Sequence, residues 1–437
     1  MRAGVKEMRC FWPIGVVSSN TYRENHRMYT IDHIPAVCRS FFRPHRKNFD
    51  KPAWPHFWGL ALAIAMATEH TVERLNALLR NHTHRTNDGE FLWRSDWDES
   101  WVIRAIALDT LRRLYRKGEP IYLILDDTQT LKRAKKMDAV GKLYHHASGK
   151  YGTGHTILKA CLYYRGVTIP WGSWLYVKKE DAGKLKSACG GFAKLTELAA
   201  GAVRQANLPE DLKVTVLFDA YYLCPTVVQA VHERGWHYIG VGKSNRRFEV
   251  KGQSHRLSRY GPNVLRRSGE WMKITGLKKT HGYRVVERVG HLKKLGKVKV
   301  VFSRRRGDHK PIALVTDDLS RPARRVVADY LRRWSIELLI KDEKQHLGLG
   351  AYRVLRYRAV VRHLHLVDVA YACLTHLGLK AQRAQGEKKT KRVLRLPSIR
   401  QLKIDLQRRV WREAVKDVMK ASHERPVLRR LEKLLAA

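Results

Sequence analysis

With 437 residues and 44% hydrophobic side chains, the chain is long enough for two or three domains around a large buried core. Its 85 Lys and Arg against 40 acids leave a net charge of +45, which points to a polyanion as partner, nucleic acid foremost, while 12 Trp argue against a disordered basic tail. Six scattered cysteines without a C-x-x-C pair, no signal-like apolar start and no apolar stretch longer than residues 57–67 speak against a disulfide scaffold and a bilayer span, so a cytoplasmic protein with reduced thiols is expected.

Residues 1–117 read as mostly helical, with an apolar helix around 57–67, another at 71–80 and an amphipathic one at about 98–116, closed by Pro120. The helix at 71–80 is a candidate helix-turn-helix element for gripping DNA. Residues 121–125 form the short continuous apolar run of a strand buried on both faces, expected to end in Asp126-Asp127-Thr128. Residues 149–154 (GKYGTG) lack the G-K-[ST] ending of a phosphate loop and read as a flexible strand connection. Strands at 156–164 and 167–177 follow around Arg165-Gly166, then a helix over 184–205. Residues 214–218 make a second buried strand ending at Asp219, followed by a helix at 224–234 and a strand at 236–241. The 21 histidines, His145-His146 included, show no ligand spacing on one element and read as solvated or phosphate-facing.

Three strands, helix, strand, helix, strand is the order of a ribonuclease-H-like α/β layer. From 246 to 306 the character changes to Gly, basic residues and alternating stretches such as 283–289 and 297–302, which suggest an inserted antiparallel β subdomain. Its Arg246, Arg247, Arg266, Arg267, Lys278, Lys279 and Arg304 to Arg306, with Trp271 and Tyr283 interleaved, suit contact with DNA. A strand at 312–316 leads into a helix that carries the strongest signal of the chain. Beyond it come an apolar helix at about 360–379, a basic linker at 381–392 and a helical region after Pro397.

In that helix Tyr330, Arg333, Glu337 and Lys344 fall at roughly 0°, −60°, −20° and −40° when residues advance by about 100° each, a single narrow stripe. Ser320 reads as the N-cap, Pro322 as a first-turn residue, and Gly348 and Gly350 as the exit. Val327, Leu331, Trp334 and Leu338 form an apolar face, Ile336 and Ile340 flank the stripe on its other side, and Arg325, Arg332, Ser335, Asp342 and Glu343 supply the water face. The stripe is therefore polar where the helix is expected to be partly buried. A carboxylate flanked by a phenol, a guanidinium and an ammonium suits a metal ion with phosphates around it.

Two strand-terminal aspartates and a helical glutamate, Asp126, Asp219 and Glu337, form the set of hard oxygen ligands that two-metal phosphoryl transfer uses. Asp127 would face the other side of its strand, and Glu343, the competitor of Glu337, sits on the expected solvent face. The chain resembles a cut-and-paste DDE transposase of a bacterial insertion sequence. The resemblance rests on Y-(2)-R-(3)-E-(6)-K as Tyr330, Arg333, Glu337 and Lys344, on D-x-T as Asp126-Asp127-Thr128, and on D-x-x-Y as Asp219-Ala220-Tyr221-Tyr222, over about residues 120–380. It implies an α/β fold with a ribonuclease-H-like catalytic core interrupted by a β-rich insertion subdomain, with helical N-terminal and C-terminal regions. The implied divisions are 1–117, 118–245, 246–306, 307–380 and 381–437: N-terminal DNA-binding region, first core part, insertion, second core part, and basic linker with C-terminal helices.

The resemblance further implies that Asp126, Asp219 and Glu337 bind two Mg²⁺ ions, with Mn²⁺ able to substitute, and that Tyr330, Arg333 and Lys344 hold DNA phosphates. D-x-T spacing favours Asp126 over Asp127. The partners implied are double-stranded DNA, as transposon ends and target, and a second copy of the chain in a synaptic homodimer, at the nucleoid and without a membrane. A nuclease on the same fold and a catalytically idle DNA-binding descendant are the rival expectations. A basic ribosome-associated protein would account for the charge but leave the three acids unexplained.

Overall fold

Apolar β-formers run from Ile121 to Leu125, and the strand they nucleate is longer than that run: β1 spans Pro120–Leu131. The structure, a computed structural model, describes residues 31, 33–79, 84–134, 136–145, 149–277, 279–384 and 393–420. Cys10, Arg80, His146, Lys278, residues 385–392 of the basic linker and the ends 1–30 and 421–437 of the two terminal regions lie outside the described residues.

The other strands are β2 (Gly141–His145), β3 (Lys150–Tyr164), β4 (Val167–Leu175), β5 (Lys213–Phe218), β6 (His237–Val241), β7 (Arg247–Val250), β8 (Gln253–Arg256), β9 (Glu270–Thr275), β10 (Thr280–Leu292), β11 (Gly296–Arg305) and β12 (Ile312–Thr316). All twelve belong to one sheet in the order β2-β3-β1-β5-β6-β12-β11-β10-β7-β8, with β4 also on β3 and β9 also on β10. Only β1, β5 and β6 run parallel to one another; the remaining pairs are antiparallel. The fold is mixed α/β.

Strand alternation sorts the core into two layers. Tyr122, Ile124, Ile157, Cys161 and Leu217 face one cluster, built with the helices Ala53–Met66, Ala323–Tyr330, Trp334–His346 and Tyr357–Ala384. Ile121, Leu123, Leu125, Leu158, Val216 and Phe218 face the other, built with Leu195–Arg204, Pro225–Glu233 and Leu257–Ser268. Each such side chain taken from water stabilises the fold by roughly 1.5–3 kcal/mol before chain entropy is counted. The helix Ala53–Met66 is buried on nearly every side, as its all-round apolar composition dictates, and Tyr357–Ala384 is buried along most of its length although it carries Arg362, His363, His365 and Asp368. Among the described residues no helix is long and apolar enough to cross a membrane.

The N-terminal helices follow expectation. Ala53–Met66 and Val72–Ala77 form where expected, the latter capped by Thr71, and Glu99–Leu114 is capped by Asp98 accepting from the Trp101 N–H at 2.8 Å. The helix expected over 184–205 is instead two pieces, Lys186–Cys189 and Leu195–Arg204, broken where Gly190 and Gly191 take φ of 73° and 110°, and a further short helix, Lys179–Ala182, precedes them. Residues 246–306 are rich in antiparallel strands, and they extend the common sheet through β11 on β12. They also contain the helix Leu257–Ser268, masked in the sequence by Gly261 and Pro262; a Cβ at Gly261 would stand 2.5 Å from Phe302.

The histidine reading needs correction. His70, His155, His363 and His376 are buried, and burial lowers each of them, to about 4, 4, 3 and 4 respectively. They serve the core as neutral hydrogen-bonding groups, as where His155 links Tyr352 Oη at 2.7 Å to the Asp138 carbonyl at 2.9 Å.

Candidate active site

β1 and β5 are parallel neighbours whose last register pair is Ile124 with Leu217. Asp126 and Asp219 each stand two residues beyond that pair, and both continue the alternation of Ile124 and Leu217 toward the same face. β1 does not end at Asp126 as expected: it runs on to Leu131 against β3, while β5 stops at Phe218. One edge of β1 is thus left open at the acids, which makes a crevice at the carboxyl ends of the parallel strands. In the turn after β5, Asp219 Oδ1 accepts the backbone N–H groups of Tyr221 at 2.8 Å and Tyr222 at 3.3 Å.

The third acid arrives from above. The expected single helix consists of Ala323–Tyr330, a 3-10 turn Leu331–Arg333 and Trp334–His346. Because a 3-10 turn advances about 120° per residue, three such residues rotate the downstream helix by about 60° relative to a continuous α-helix. That slip accounts for the misassigned faces: Trp334 and Leu338 are 52% and 42% exposed, whereas Ser335 and Glu343 are 2% and 0% exposed. The helix start is also different. Pro322 is the N-cap position, and Ser320 instead donates its hydroxyl to Asp318 at 2.6 Å. The exit glycines are as expected, Gly348 and Gly350 having φ of 73° and 124°.

The Arg333 guanidinium bridges the two elements. Its Nη1 donates to Asp126 Oδ2 at 2.9 Å and its Nη2 to Glu337 Oε1, while its Nε is buried without a hydrogen-bond partner among the described residues. Burial, with Asp219 and Asp127 nearby, lifts the Asp126 carboxyl to about 6 even though Arg333 pulls it down. Burial works against the Arg333 charge, but Tyr330, Asp126 and Glu337 more than offset it and keep the guanidinium ionised. Tyr330 is 8% exposed, with the Arg333 guanidinium 5.8 Å from its ring centre, and burial pushes its hydroxyl up to about 12.

Lys344 lies farther along the helix, where its Nζ donates to the Gln129 carbonyl of β1 at 2.9 Å. Asp127 points to the opposite face and accepts the Tyr222 hydroxyl at 2.8 Å. Glu343, expected on the water face, is fully buried and paired with Lys159 at 2.8 Å. Lys159 is the functional neighbour that sequence reading missed; its only signal was a lone Lys inside an apolar strand. In the basic segment Tyr283 is buried and Arg246 half-buried, donating to the Leu223 carbonyl, while Trp271 is 55% exposed and Arg247, Arg266, Arg267 and Lys279 are exposed.

Among the described residues no three His, Cys, Asp or Glu side chains converge closely enough to hold a metal ion. Arg333 lies between Asp126 and Glu337 as a cation paired with both. The donor chemistry fits a hard divalent ion: carboxylate oxygens only, two of them already neutralised by a positive group.

Comparison with known proteins places the chain among transposase-related families. Residues 195–373 match the family described as Transposase DDE domain. A 70-residue stretch is 40% identical to the putative transposase y4zB of Sinorhizobium fredii, covering 16% of this chain and 20% of that protein. The chain thus spans about a fifth of the length of that relative. Residues 59–277, half of the chain, match the DDE superfamily endonuclease family, and the protein belongs to that family.

Proposed function

We propose that the protein is a DNA transposase that binds the ends of its mobile element, cleaves them and joins them to target DNA. The observation that carries this reading is the placement of Asp126 and Asp219 on one face, two residues past the last pair of adjacent parallel strands, with Glu337 tied to Asp126 through Arg333. In this reading the strands β4-β3-β1-β5-β6 and their helices are a ribonuclease-H-like core. Residues 246–306 are its insertion, and 1–117 and 381–437 are the terminal DNA-gripping and basic regions.

Asp126, Asp219 and Glu337 would hold two Mg²⁺ ions, or Mn²⁺ in their place. Bound there, the ions would supply activation of a water or 3′-hydroxyl and stabilisation of the leaving oxygen. The chain's own residues do the rest. Arg333 grasps a phosphate bidentately, Lys344 adds a point charge farther along the crevice, and Tyr330 supports the guanidinium from below. The +45 charge attracts double-stranded DNA, and two element ends brought together call for a homodimer at the nucleoid.

The test is incubation of the purified protein with DNA carrying the element's own ends and Mg²⁺, followed by mapping of cuts and joints. Cutting at the ends with joining to target supports the proposal. Cutting without joining makes the chain a nuclease, and binding without any cut makes it an inactive descendant.

A further inference from the structure

Lys159 of β3 is the direct register partner of Asp126, and Ser173 of β4 is the partner of Lys159, so the three stand in one row across three strands. Opposed residues on antiparallel neighbours share a face, about one strand spacing of 4.8 Å apart. Lys159 is 0% exposed. Its Nζ donates to Asp368 Oδ1 at 2.5 Å and to Ser173 Oγ at 2.9 Å, and the Ser173 hydroxyl donates to Asp368 Oδ2 at 2.7 Å. Glu343 Oε2 lies 2.8 Å from the same ammonium, and burial pushes its carboxyl up to about 8 although Lys159 pulls it down, so Asp368 carries the settled negative charge of the cluster and Glu343 joins it as a buried polar partner. Burial alone would lower Lys159, yet Asp368 and Glu343 more than offset it and raise its pKa. The ammonium is therefore fixed.

We infer that Lys159, Glu343 and Asp368 form a buried clamp that positions Glu337 against Asp126. Glu343 and Glu337 ride on the same helix, and Lys159 is in register with Asp126, so the 2.8 Å contact of Lys159 with Glu343 sets the height of one acid over the other. Asp368 ties the long helix Tyr357–Ala384 to the same point. A helix held only by apolar contacts can slide or rotate by fractions of an ångström, whereas a sealed charge left without its partner is strongly disfavoured. These are positioning residues: the side-chain partners of Lys159 are Ser173, Asp368 and Glu343, and it meets Asp126 as a ladder neighbour.

The inference rests on the reading of Asp126, Asp219 and Glu337 as metal ligands. Its test is a Mn²⁺ titration of the full-length, DNA-free protein, followed by the electron paramagnetic resonance of free Mn²⁺. Glu343→Gln and Asp368→Asn keep volume and remove the carboxyl group, and Lys159→Met removes the ammonium. Each is expected to weaken Mn²⁺ binding by about tenfold while far-ultraviolet circular dichroism stays that of the parent. Leu314→Ala, a buried change in β12 away from the crevice, serves as a destabilised control and is expected to bind Mn²⁺ as the parent does. Should Lys159→Met fail to fold, the two isosteric variants decide. Parent-like Mn²⁺ binding by Glu343→Gln and Asp368→Asn, or equal weakening in Leu314→Ala, overturns the clamp. Parent-like binding by Asp126→Ala in the same titration instead overturns the metal reading itself, and the clamp's purpose with it.

Discussion

The helix Trp334–His346 is joined to the sheet by two ion clusters of opposite character. Near its start Arg333 links Asp126 and Glu337 at the mouth of a crevice, with side chains 13%, 19% and 33% exposed. Two turns on, Lys159 links Glu343 and Asp368 with no exposure at all. Both set one cation against two carboxyl groups, but water can compensate the first cluster when it opens and cannot reach the second. An open cluster can exchange its cation for another and a sealed one cannot, so the same ionic arrangement serves exchange at one site and permanence at the other.

The largest effect expected is on the chemistry of the open cluster. Asp126→Ala, Asp219→Ala and Glu337→Ala should each abolish strand cleavage in an end-cutting assay while leaving end binding largely intact, because in the proposed function the carboxylates would serve metal and not grip. Asp127, tied to Tyr222 on the opposite face, is the contrast: if Asp127→Ala is dead and Asp126→Ala cuts normally, the first acid has been chosen wrongly.

The next effect inverts the comparison by measuring stability. In urea unfolding, Lys159→Met should cost about 3–5 kcal/mol, since it leaves the Asp368 carboxylate sealed without its cation. Arg333→Ala should cost about 1 kcal/mol or less, because its carboxylates border the crevice and can be hydrated. Equal losses in the two variants would remove the distinction between the clusters.

The exchangeable half of this arrangement was legible in the sequence and the permanent half was not. Asp126 and Asp219 announce themselves by ending apolar runs, and Tyr330, Arg333, Glu337 and Lys344 by their spacing. The faces of the helix were misread because its middle turn is 3-10, a local change of about 20° per residue that hydrophobic periodicity does not register. Glu343 was thereby placed in water although it is buried. Its partner Lys159 comes from a strand far away in sequence, and only the packing of the helix across β3 brings the two together. The helix Leu257–Ser268 was hidden for a different reason: Gly261 and Pro262 oppose helix locally, and packing against Phe302 overrides them.

A smaller and less intuitive effect comes from Arg333 acting as a stand-in cation. Arg333→Ala should bind Mn²⁺ more tightly than the parent when DNA is absent, by about tenfold if the bridge is closed nine-tenths of the time. The same variant should process ends poorly, having lost its phosphate contact. Unchanged or weaker Mn²⁺ binding in calorimetric titration would show that the guanidinium assists the carboxylates instead of competing for them.

The last and smallest effect is on pH. Burial lifts Asp126 to about 6, above its ordinary carboxyl value, so the metal-free protein prefers this group protonated. Its contribution to metal-free stability is fully present below the ordinary carboxyl value and is lost as pH rises through about 6. Metal binding needs the ionised form and has the opposite sign: apparent Mn²⁺ affinity should be flat above pH 6 and fall by about tenfold per pH unit below it. Arg333 opposes the rise of Asp126, so in Arg333→Ala the break should move to higher pH. Glu343→Gln, remote from that carboxyl and sealed from water, should leave the break where it is. Titrations across this range in the three proteins therefore separate the clusters once more, and a break that moves with Glu343 but not with Arg333 would reverse their roles.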